Sequence, residues 1–103
     1  PPQSSLTPAE IAYINTNNTF IANSITAPNT ATFNNVEFVD SPSGFVPGVE
    51  RHILYVNGTF VPTQHYSIVA SGSDLVVTIN TTQLQYTIDS GDQVIITGKI
   101  QSI

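Results

Sequence analysis

One dipeptide limits what this chain can fold into more than any other feature. Asn57-Gly58 stands between Tyr55-Val56 and Thr59-Phe60. A two-residue type I′ hairpin needs positive φ at both central residues, and Asn-Gly meets that need at little steric cost. Further turn signals follow at Ser71-Gly72-Ser73 and Ser90-Gly91-Asp92, with runs of β-branched and aromatic residues between them. Turns recurring this often, with alternating strands between, predict a small antiparallel β-sandwich or a partly closed barrel, and the sandwich is the fold expected. Within it, Ile53 and Tyr55 share a face, and Phe60 falls opposite Tyr55 across the hairpin. Tyr66 pairs with Ile68 in the same way, Leu75 with Val77 and Ile79, and Val94 with Ile96 and Ile100. Residues 81–88 read as one more strand, with Leu84, Tyr86 and Ile88 on one face. Residues 31–39 are extended. Residues 40–48 are turn-rich, and Phe45 there either contacts a partner or tucks onto the core.

The N-terminal part has a different pattern. Residues 1–6 read as a tail. Thr7-Pro8-Ala9-Glu10 then predicts a helix start, because Thr7 can cap, Pro8 suits the first turn and Glu10 completes a capping box. Ile11, Ile14, Asn18, Ile21 and Ile25 follow at alternating spacings of three and four. That is a heptad seam with Asn18 at an a-type position, where a polar residue sets register and oligomer state. Asn15-Thr16-Asn17-Asn18-Thr19 makes the helix weak by propensity, so it must pack on something. One reading is a short parallel coiled coil with these five residues as the oligomer interface. The other is an amphipathic helix lying on the chain's own β-domain. The domain organisation expected is an N-terminal tail and oligomerising helix at 1–28 and a β-sandwich domain at 29–103.

Composition narrows the function classes. The 103 residues carry seven acids against two bases, a net charge of −5, and charged residues make up only 9%, against about 25% in ordinary domains. Thr, Ser, Asn and Gln supply 38 residues in their place. Two bases cannot build a phosphate-tracking surface, so nucleic acid is a poor partner, and an anionic membrane is disfavoured on the same ground. No run is apolar for long enough to cross a bilayer as a helix. With no cysteine, there is neither a disulfide framework nor a thiolate metal site. No signal peptide is visible, and a chain starting at Pro1 with no methionine reads as a piece of a longer polypeptide.

The order Tyr55, Asn57-Gly58, Tyr66-Ser67, Gly72, Leu75-Val77-Ile79, Gly91-Asp92 and Val94-Ile96 resembles a small β-module found in tailed-phage virion proteins, including tail fibres of cyanobacterial phages. The resemblance spans residues 53–98. His65 departs from it, since an acidic residue commonly precedes the Tyr at that corner. The resemblance implies a non-enzymatic structural unit of trimeric fibres, located in the virion and binding no cofactor. Its implied partners are other copies of itself, other virion proteins and, in host attachment, a surface glycan.

Chemical sites compete poorly with plain structural roles. Glu50, His52 and His65 lack metal-ligand spacing, and a solvated strand edge accounts for them. Asp74, Asp89 and Asp92 flank glycine turns, and turn formation explains them better than calcium. No Gly-x-Ser-x-Gly elbow occurs for a hydrolase nucleophile. No catalytic, metal or cofactor residue is therefore assigned. The alternative to the structural module is a carbohydrate-binding or adhesin domain that uses Tyr and Phe rings with amide and hydroxyl neighbours.

Overall fold

The computed structural model describes residues 5–43 and 51–103. Phe45 and Glu50 lie outside them. The first element, α1 (Pro8–Asn15), opens on the expected capping box. The Thr7 N–H donates to Glu10 Oε1 at 2.8 Å, and the Glu10 N–H donates to Thr7 Oγ1 at 3.1 Å. The helix stops after two turns. Thr16 leaves helical space at ψ 118°, and its hydroxyl bonds back to the Ala12 carbonyl.

The chain then does what the heptad spacing did not predict. Asn18–Ile21 is strand β1 and Ser24–Thr26 is strand β2. The expected coiled-coil seam therefore has no helix to run on beyond Asn15. The reason is local. The Asn15–Thr19 run is poor in helix formers, and extending it offers backbone pairing with a neighbouring strand. Residues 18–26, expected to belong with an N-terminal segment, are strands of the β-fold itself.

The remaining strands are β3 (Thr30–Phe33), β4 (Val36–Phe38), β5 (His52–Val56), β6 (Thr59–Val61), β7 (Tyr66–Ser71), β8 (Asp74–Ile79), β9 (Val94–Gly98) and β10 (Ile100–Ser102). They form two four-stranded antiparallel sheets, ordered β1-β9-β5-β6 and β2-β3-β8-β7, with a small β4-β10 pair beside them. The inward residues of both sheets merge into one core. Leu54, Val56, Val61, Val94 and Ile96 come from the first, and Ala31, Phe33, Leu75, Val77 and Ile79 from the second. The expected inward set of Val94, Ile96 and Ile100 is buried. This is a mainly β, sandwich-like fold preceded by one helix.

Two corners carry the chain between layers. At Ala22-Asn23 the Ala22 N–H donates to Val94 O in one sheet and the Asn23 N–H to Thr32 O in the other, so β1 and β2 act as one strand that switches sheets. At Gly98-Lys99 the chain leaves β9 for β10. Gly98 sits at φ +148°, and a Cβ there would collide with Arg51 O and come within 2.8 Å of His52 Cα. Only glycine lets β5 approach so closely at this corner.

The hairpins follow the turn chemistry. Asn57 and Gly58 take φ 49° and 82°, and Tyr55 lies directly opposite Phe60. The strand expected over 81–88 is absent. Thr81–Leu84 forms a single helical turn, α2, because the Asn80 side chain caps it by accepting from the Gln83 N–H. Leu84 still packs against the core and Ile88 is buried, while Tyr86 is exposed. The local cap decided the backbone, and burial followed from it.

Candidate functional site

The outer face of the β1-β9-β5-β6 sheet is apolar where solvent should favour polar residues. Register puts Ile21 opposite Ile95, Ile95 opposite Tyr55, and Tyr55 opposite Phe60. Their strand neighbours Leu54, Val56, Val61, Val94 and Ile96 are buried in the core and Phe20 packs against it, so these four form one row across the outside of all four strands. A second row runs Thr19, Thr97 and Ile53. Ile21 is 56% exposed and Phe60 52%. The Tyr55 and Phe60 rings meet edge-on at 6.4 Å. None of the four strands contains Asp, Glu, Lys or Arg. Beside the rows, the end of α1 frames an open hollow of about 660 Å³, lined by Ile14, Ile53, Phe60, Thr97 and Lys99 among others.

One cation fixes that frame. Lys99 is only 6% exposed. Its Nζ donates to the carbonyls of Ile14 and Thr16, both at 2.7 Å, and lies 5.6 Å from the centre of the Tyr13 ring. A charge placed on the carbonyl end of a helix is favourable there.

The opposite outer face has the reverse chemistry. Register lines up Thr26, Thr30, Thr78 and Ser67 across the β2-β3-β8-β7 sheet, with Ser24, Thr32, Val76 and Val69 as the next row. The first row is four hydroxyls. At the end of this sheet an open groove of about 490 Å³ is lined by Gln64, His65, Ser67, Thr78, Asn80 and Thr82 among others. Among the described residues no Asp, Glu, Lys or Arg lines it.

The five expected interface residues are dispersed. Ile14 and Ile21 reach the apolar surface. Ile11 is half-buried, and Ile25 packs against the core from β2. Asn18 does not sit on a helical seam; its Nδ2 donates to Ile100 O at 2.8 Å and ties β1 to the β10 corner. Asn57 does more than turn the hairpin. Its side chain donates to Asp92 Oδ1 and accepts from the Gln93 N–H. Those bonds hold Asp92 below the ordinary carboxylate range, the Asn57 side chain contributing most and the Asp89 N–H next. The Tyr86 hydroxyl is pushed up by partial burial and then by the Asp92 charge.

The histidines have separate partners: His52 Nδ1 meets Tyr66 Oη at 2.7 Å and His65 Nδ1 meets Gln83 Oε1 at 2.8 Å. Asp74 accepts from the Asn35 N–H, and Asp89 from the Gly91 N–H. Among the described residues no group of three His, Cys, Asp or Glu comes together that could hold a metal. Sequence reading missed the apolar face because it did not settle which side of β5 is inward. It missed Lys99 because nothing local marks a cation whose partners lie more than 80 residues away.

No family model matches the chain, and no curated protein or solved structure matches it.

Proposed function

We propose that this chain is a non-enzymatic structural module of a phage virion appendage, assembling as a homotrimer through the outer face of the β1-β9-β5-β6 sheet. The observation that carries the reading is the outward row Ile21, Ile95, Tyr55 and Phe60, exposed at both ends and half-buried at Ile95 and Tyr55. Contiguous exposed apolar surface marks interaction sites. The occupant argued for is a second copy of the same face. The chain carries −5 overall, yet these strands carry no charge. Copies meeting here keep their acids apart, and a charged partner would find no Asp, Glu, Lys or Arg on these strands to pair with, while Lys99 in the adjoining hollow is already engaged by the Ile14 and Thr16 carbonyls. The resemblance described above supports the same reading, since the residues that carry it lie largely in the strands and turns of the sandwich.

Magnitude sets the expected strength. Completing the burial of Ile21 or Phe60 contributes about 1 kcal/mol each, while association costs on the order of 4–15 kcal/mol in lost freedom. The isolated domain therefore associates weakly and in a concentration-dependent way. Sedimentation velocity over a concentration series tests this. The wild type should approach three times the 11.0 kDa of one chain, and an Ile21→Glu/Phe60→Glu variant, with a native circular dichroism spectrum, should stay at one. A wild type that is monomeric up to millimolar concentration sinks the proposal. So does a variant that assembles as well as the wild type.

A further inference from the structure

The groove at the end of the β2-β3-β8-β7 sheet has no part in that assembly face. We infer that it is a binding site for a short neutral saccharide. The ligand class follows by elimination from its lining. Among the described residues no Lys or Arg lines it to hold an anion, and no Asp or Glu lines it to hold a cation. Apart from Tyr66 and Ile79 the lining residues are polar, so a hydrocarbon ligand would leave polar groups uncompensated. What remains is a dense set of amides and hydroxyls, each able to donate and accept. The partner that answers such a set is a neutral molecule rich in hydroxyls.

Three further observations fit. The volume of about 490 Å³ lies in the usual range of about 300–1,000 Å³ for small-molecule sites. The side chains of Gln64, Ser67, Thr78, Thr81 and Thr82 make no hydrogen bond within the described residues, so they are open to a ligand. The frame around them is fixed before any ligand arrives. The His65 N–H donates to Pro62 O, the Asn80 N–H donates to His65 O, and the Ile79 N–H donates to Asn29 O. Gln83 holds the His65 ring at 2.8 Å. A rigid frame lowers the ordering cost of binding, while the open shape keeps affinity modest.

The test is a ¹⁵N–¹H correlation titration of the labelled chain with triacetylchitotriose, maltotriose and cellotriose, and with 3′-sialyllactose as the charged comparison. At least one neutral trisaccharide should give saturable shifts confined to residues 64–67 and 78–82. A Ser67→Ala/Thr78→Val variant, whose spectrum elsewhere should match the wild type, should bind about tenfold more weakly. The inference is overturned by the absence of saturable shifts with all three neutral sugars. It is equally overturned by shifts that map to the apolar sheet, by binding of the sialylated sugar alone, or by a variant that binds like the wild type. Ile21→Glu/Phe60→Glu should bind the sugar normally, so failure of the assembly reading and failure of this one give different results.

Discussion

Asn57 serves the fold through its backbone and its side chain at once. Its backbone takes the positive φ that closes the β5-β6 hairpin, and its amide joins that hairpin to the loop before β9. The Asn57 N–H donates to Gln93 O, its Oδ1 accepts from the Gln93 N–H, and its Nδ2 donates to Asp92 Oδ1. Asp92 in turn accepts from the Asp89 N–H through its other oxygen. A carboxylate so placed has its folded pKa lowered. Its contribution to stability is therefore fully present above the unfolded value of about 3.9 and is lost as pH falls through the folded value below it. Thermal melts at a series of pH values should show the wild type losing melting temperature more steeply than Asp92→Asn below about pH 4. The other carboxylates titrate in both proteins, so the difference isolates Asp92. Equal acid slopes would mean that the clamp does not operate in solution.

At the scale of elements, α1 is held at its end by a residue of the opposite terminus. The helix has no basic residue in its last turn, and Lys99 supplies that charge from the corner between β9 and β10. Lys99→Met keeps the aliphatic stem and removes the donor. It should cost about 1.5–3 kcal/mol, the range for hydrogen bonds made by a charged group. Amide exchange over residues 8–15 should accelerate while β8 and β9 keep their protection. Unchanged exchange in α1 would show that Tyr13 packing alone holds the helix. This element also shows where sequence reading works and where it fails. The capping box, the Asn-Gly hairpin and the alternation of β8 are short-range patterns with one structural solution, and all three were legible. The seam through Ile11, Ile14, Asn18, Ile21 and Ile25 was not, because a helix and a strand that switches sheets both fit that spacing. Facing was ambiguous for a related reason. In β5, Ile53 and Tyr55 alternate with Leu54 and Val56, so both sides are apolar and periodicity cannot choose the core. That same ambiguity is what leaves an apolar face outside, so the candidate interface and the difficulty of reading it have one cause.

The whole molecule is elongated, 46 × 26 × 20 Å, with unlike chemistry on its two broad faces, and among the described residues every acid lies outside β1, β5, β6 and β9. That arrangement makes the salt dependence of assembly diagnostic. Three copies, each at −5, repel through every approach, whereas the proposed contact contains no charge pair to be weakened. Raising salt from about 0.01 M to about 1 M shortens the screening length from about 30 Å to about 3 Å, which removes the repulsion and leaves apolar burial intact. Sedimentation equilibrium should therefore show association tightening several-fold as sodium chloride rises. An interface built on ion pairs gives the opposite trend, because its attraction is what salt screens. Association that weakens with salt would thus exclude the β1-β9-β5-β6 face as the contact even if the solution mass were threefold. Association that tightens with salt, and is abolished by Ile21→Glu/Phe60→Glu, would tie assembly to the apolar outer face of the β1-β9-β5-β6 sheet.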